Sequence, residues 1–134
     1  LLKLEITEGI VIQNLDDTIA KMLKLKHMGI SFAMDDFGTG YSSLTYLKRL
    51  PVDALKIDQS FVRDATSDPN DAEIVRAIVA MAASLNLAII AEGVEKQEQL
   101  DFLAQLDCHF YQGFLFSEPL PVAGFEALLR ERVL

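Results

Sequence analysis

Short apolar segments alternate with helical ones, with no hairpin turn between them, and this constrains the fold of the chain more than any other feature. The segments "LKLEIT", "ISFAMD", "ALKID", "LAIIAE" and, less distinctly, "HFYQG" have the length and apolar content of buried strands. No Asn-Gly or Asp-Gly pair joins any of them, which argues against antiparallel hairpins. Intervals of about 20 to 30 residues suit a strand followed by a helical crossover, the unit of a parallel sheet.

The crossovers carry their own signals. Asn14 can cap a first helix, Asp16 and Asp17 suit its positive end, Leu15, Ile19, Met22 and Leu23 form one apolar stripe, and Gly29 ends it. Asp68 and Pro69 open a second long helix, with Ile74, Val75, Ile78, Val79, Ala82 and Leu85 as its buried face. A shorter helix over "KQEQLDFLAQL" turns Leu100, Leu103 and Leu106 inward, and a last one after Pro119 and Pro121 uses Val122, Phe125, Leu128 and Leu129. The expected fold class is α/β, built of parallel βα units. A closed (β/α)8 barrel takes about 250 residues. This chain has 134, about half of that, and opens on the strand-like "LLKLEI" without a methionine, so preceding strands are expected in a parent protein. Residues 1–134 are then one partial domain, with an open parallel sheet as the alternative.

A hydrophobic content of 51% supports one core but not two. No apolar run spans a bilayer and no signal peptide opens the chain, while Cys108 is the only cysteine and reads as a small buried residue. A cytoplasmic location is the expectation. The net charge of -8 argues against binding a DNA or RNA duplex through its backbone, which needs a cationic surface. A polyanionic ligand would need metal cations to turn a carboxylate cluster into an anion-binding surface.

The acids fall where such cations would be useful. Glu5 and Glu8 end the first strand, Asp35 and Asp36 the second, Asp58 the third and Glu92 the fourth. In parallel α/β folds the carboxyl ends of strands carry the site. Taken singly, Asp58 can cap a turn, Glu8 can face solvent and Glu95 can suit a helix start. The adjacent Asp35 and Asp36 are harder to explain as structure. Successive strand residues face opposite ways, so both can serve one site only if the strand ends there and Asp36 turns inward with the loop, as Gly38 and Gly40 allow. Clustered carboxylates suit Mg²⁺ or Mn²⁺, and a two-metal site about 3.5 to 4 Å across could clamp a phosphodiester. Lys56, inside an apolar strand, could orient water or stabilise charge on phosphate. His27, His109, Tyr41, Phe110, Phe114 and Phe116 read as structural or packing residues. The "DFG" at Asp36 lacks the other loops of a protein kinase.

The ordered motifs "LEITEG", "DDFGTGYSSL", "LPVDALKIDQSFV", "AEGVE" and "QGFLFSEPLP" resemble the EAL-domain family of bacterial cyclic di-guanylate phosphodiesterases. The resemblance implies the C-terminal half of a TIM-like barrel that hydrolyses cyclic di-GMP to its linear dinucleotide, pGpG, with Mg²⁺ or Mn²⁺. It implies that Glu5 binds a first metal, Asp35 bridges two, Asp36 serves the second, and Glu92 binds that metal or acts as general base. Lys56 would assist the catalytic water, Gln112 and Glu95 would meet substrate, and Glu8 would anchor the loop over residues 37–43, which couples homodimer contact to the site. Gly9 stands where the family often has serine. The Glu-Ala-Leu motif and an asparagine ligand would lie before Leu1, so the isolated chain is expected to bind metal poorly and hydrolyse slowly, whereas the parent is active. A silent cyclic di-GMP receptor and a dimerisation scaffold around Tyr41 are the alternatives, and membrane or sensory domains upstream are compatible with all three.

Overall fold

A computed structural model describes residues 2–39 and 44–133, except the side chains of residues 10, 12 and 133. Gly40, Tyr41 and Ser43, and with them most of the loop expected to carry dimer contact, lie outside the described residues. Strands β1 (Lys3–Thr7), β2 (Ser31–Phe37), β3 (Ala54–Ile57), β4 (Ala88–Ala91) and β5 (Phe110–Tyr111) form a sheet in the order β1-β2-β3-β4-β5. Every pairing is parallel, as the absence of hairpin turns requires.

The intervening helices are α1 (Glu8–Gln13), α2 (Leu15–His27), α3 (Leu44–Arg49), α4 (Gln59–Asp64), α5 (Pro69–Ser84) and α6 (Gln97–Gln105), and α7 (Val122–Val133) follows β5. One face of the sheet, with Phe32, Met34, Leu55, Ile57, Ile89 and Ala91, joins Met22, Leu47, Val62, Val75, Ile78 and Leu103 in a single buried core. Each fully buried aliphatic side chain there contributes about 1.5–3 kcal/mol. The opposite face carries Glu5, Ala33, Ala54 and Lys56, placed together by the register.

The caps behave as their chemistry dictates. Asn14 accepts a hydrogen bond from the Asp17 N–H at 3.4 Å, and Asp68 accepts one from the Asn70 N–H at 2.8 Å. The packing stripes are narrower than expected. Leu23 and Ile74 are exposed, because each lies one position beside the buried row of Met22 or Val75. On α7, Val122, Phe125 and Leu129 are also exposed, as are Phe110, Phe114 and Phe116, so these residues do not form the packing expected of them among the described residues. Cys108 is buried, and burial pushes its thiol up to about 11, which makes it an inert core residue. No helix among the described residues is long and apolar enough to cross a membrane.

Asp53 fastens the amino ends of the strands. Its Oδ2 accepts from the Phe32 N–H at 2.9 Å, and its Oδ1 lies 2.6 Å from the Lys26 Nζ, which also donates to the Pro51 carbonyl at 3.2 Å. Burial disfavours its charge, but the bonds from Lys26 and Phe32 win and hold the carboxyl below the ordinary aspartate value. Replacing Asp53 with alanine is expected to cost about 1 kcal/mol, because the exposed ion pair is screened and the orphaned Phe32 N–H supplies most of the loss. A folded-state pKa below the unfolded one means that this stability is present above the ordinary value of 3.8 and disappears as the pH falls through the lower folded value. Urea unfolding of both proteins at several pH values checks this, with the gap full near neutrality and narrowing only in acid.

Candidate active site

Lys56 is the geometric centre of the polar face. It lies two residues beyond Ala54 on β3, pairs in register with Ile90, and is only 3% exposed. Its Nζ stands 2.7 Å from Glu5 Oε1, 2.6 Å from Glu92 Oε1 and 3.6 Å from Asp35 Oδ1. Burial works against the ammonium, yet its bonds to Glu5 and Glu92 and the charge of Asp35 outweigh that penalty and raise its pKa further. The lysine is therefore held fully protonated.

The paired aspartates reach one site by a device different from the one expected. Strand β2 does not end at the aspartates but continues to Phe37. Met34 stands opposite Leu55 and Phe37 opposite Ile57, so three steps on β2 match two on β3. The surplus residue forms a bulge. Asp36 has a φ of +53°, a left-handed conformation that aspartate tolerates better than most residues, and its N–H donates to Asp35 Oδ1 at 2.9 Å. Gly38, with a φ of +98°, continues the turn. Oxygens of Asp35, Asp36 and Glu92 consequently lie within 4.8 Å of one another.

That proximity is visible in the ionisation of the group. The charge of Asp35, followed by burial and by Asp58, pushes the Asp36 carboxyl up. Burial raises Glu92 as well, with Lys56 opposing and Asp35 adding to the effect. Asp58, read from sequence as one of the strand-end acids and, taken singly, as a turn cap, does cap α4 through the Ser60 N–H at 2.9 Å and accepts from the Ser60 hydroxyl. It also lies beside Asp36 and helps to push that carboxyl up.

The other expected residues are spread around this centre. Glu5 joins it through Lys56 and is absent from the close carboxylate trio. Gln112 Nε2 donates to Glu92 Oε1 at 3.1 Å. Glu95 is exposed and, with Gln59, Gln112 and Glu118, lines an adjoining cavity of about 440 Å³. Glu8 opens α1 half-buried, next to Phe37 and Tyr46 around a small void.

The segment bearing Gln112 is held by a backbone contact that only glycine permits. The Val94 N–H donates to the Gln112 carbonyl at 3.1 Å, and the Leu115 N–H donates to the Val94 carbonyl at 3.0 Å. A Cβ on Gly113 would lie 2.2 Å from the Val94 carbonyl oxygen and 2.4 Å from its nitrogen.

Parallel βα units with charged groups gathered at the carboxyl ends of the strands define a TIM-like barrel architecture, of which this chain forms part. The EAL domain family matches residues 1–119, and the chain belongs to that family. It is 52% identical over 129 residues to the cyclic di-GMP phosphodiesterase NbdA of Pseudomonas aeruginosa, covering 96% of this chain and 16% of that protein. The solved PaMucR phosphodiesterase in complex with c-di-GMP superposes with a TM-score of 0.87 at 48% identity, over 92% of this chain and 50% of that one. The manganese and cyclic di-GMP complex of Klebsiella pneumoniae BlrP1 gives a TM-score of 0.79 at 37% identity, over 87% and 30% of the two chains. The chain thus spans about half of one solved relative and a much smaller part of NbdA.

Replacing Gly113 with alanine is expected to cost about 3 kcal/mol, the upper end for an overpacked site, because the obstruction is backbone. Gly9→Ala serves as a control. Its added Cβ meets nothing within 4 Å, inside a helix, and is expected to raise stability by about 0.5 kcal/mol. Denaturant melts of the two variants beside the wild type check both values.

Proposed function

We propose that the protein containing this domain hydrolyses cyclic di-GMP to the linear dinucleotide pGpG in a metal-dependent reaction. The single observation that carries the reading is the convergence of Asp35, Asp36 and Glu92 around the protonated Lys56 at the strand ends. Relatives whose names describe cyclic di-GMP phosphodiesterases support the substrate class.

The donor set fits a hard divalent cation. It offers carboxylate oxygens only, and the raised pKa of Asp36 reflects like charges that a cation would relieve. In this reading Glu5 and Asp35 hold one ion, and Asp35, Asp36 and Glu92 hold a second, with Asp35 shared. Mg²⁺ or Mn²⁺ bound there would neutralise the phosphodiester and lower the pKa of the attacking water. The manganese complex of a relative supports that choice.

Lys56 supplies a fixed positive charge that need not move during the reaction. Glu92, with its carboxyl pushed up by burial, is suited to take a proton from water if it does not act solely as a ligand. One water is consumed: its oxygen joins phosphorus as one ester P–O bond opens, and the proton it gives up is balanced by one taken up by the leaving sugar oxygen. Gln112 steadies Glu92, while Glu95 and Gln112 face the dinucleotide from the adjoining cavity. Glu8 steadies the start of the segment that follows β2, and the domain pairs with a second copy of itself. The same reading places the domain in the cytoplasm, in keeping with the free thiol of Cys108.

Asp35→Asn is expected to abolish hydrolysis and weaken Mn²⁺ binding, whereas Lys56→Met is expected to lower kcat about 10²- to 10³-fold without abolishing Mn²⁺ binding. Product analysis by chromatography and Mn²⁺ titration of the parent protein make the check. Equal rates of pGpG release from wild type and Asp35→Asn would overturn the shared-ligand role.

A further inference from the structure

We infer that Gln99 is a positioning residue that fixes residues 95–96 relative to α4, and so holds in place the loop after Glu92 on which the carboxylate spacing of the proposed function depends. Gln99 and Lys56 are the buried polar or charged residues among those described. Its Oε1 accepts from the Glu95 N–H at 2.8 Å and from the Lys96 N–H at 2.9 Å. Its Nε2 donates to the Arg63 carbonyl, 3.3 Å away in the last turn of α4.

The bond to Lys96 alone would be half of an ordinary capping box. The other two bonds reach past the helix to both site-bearing segments. On one side is the loop that starts at Glu92 and contains Glu95. On the other is the helix whose first turn is capped by Asp58, a neighbour of Asp36. Val94, in the middle of the loop, is already fixed to Gln112 and Leu115, so Gln99 immobilises the part that remains. The acceptor oxygen sets the loop, and the donor nitrogen ties that loop to α4.

The two halves can be separated in the full-length protein, with Mn²⁺ alone as the probe. Gln99→Met keeps the length and loses both halves, and is expected to weaken Mn²⁺ binding, read by electron paramagnetic resonance, about tenfold. Amide exchange at Glu95 and Lys96, measured without metal, should accelerate in the same variant. Gln99→Glu keeps the acceptor but loses the tie to α4, so it is expected to leave exchange at Glu95 and Lys96 near wild type while still weakening Mn²⁺ binding about tenfold. If Gln99→Met fails to fold, Gln99→Asn, one methylene shorter, carries the same expectation. Unchanged exchange and Mn²⁺ affinity in a folded Gln99→Met or Gln99→Asn protein overturn the inference, as does wild-type Mn²⁺ affinity in a folded Gln99→Glu protein. A wild-type protein that takes up no Mn²⁺ overturns the proposed function instead, while the exchange comparison still decides the role of Gln99.

Discussion

A buried ammonium surrounded by carboxylates is the constraint on which the polar half of this domain depends. Lys56 could not be taken out of water without counter-charges, and Glu92 and Asp35 could not be brought so close without a cation. Each charge justifies the others. The arrangement joins β1, β3 and the residue just after β4 through Glu5, Lys56 and Glu92, with Asp35 of β2 just beyond hydrogen-bond distance. Correct assembly of the sheet and assembly of the site are therefore one event, since a register slip on β3 would turn Lys56 into the apolar core.

The long elements were legible because periodicity is a repeated signal. Four strand cores, the second long helix and its Asp68 cap fall where apolar spacing and turn chemistry place them. The short helices Glu8–Gln13, Leu44–Arg49 and Gln59–Asp64 were not, because fewer than two turns give too little spacing to read. Stripe width was overestimated for a related reason. Leu23 and Ile74 share the hydrophobicity of their neighbours, and only the angle at which the helix meets the sheet decides which of them is covered.

The site shows the same division between composition and geometry. The acidic residue types and their positions at strand ends were visible, and the family motifs sharpened the selection. The bulge was not, because it is a mismatch between two strands and neither strand contains it alone. Asp58 was seen and given too small a part, since its capping bond to Ser60 is local whereas its approach to Asp36 depends on the bulge. Gln99 offered no sequence signal beyond its place near a helix start.

Strand β2 has two unlike ends. At Phe32 its backbone is gripped by Asp53, and beyond Met34 it is bent by the bulge that presents Asp35 and Asp36. The first end maintains the fold and the second departs from ideal strand geometry, with the buried Ala33 and Met34 between them. Substitutions at separated positions with no shared partner tend to act independently. Drift in the Lys26–Asp53 fastening can thus alter how robust the domain is while leaving its chemistry nearly untouched, and a lineage can trade robustness at one end for novelty at the other.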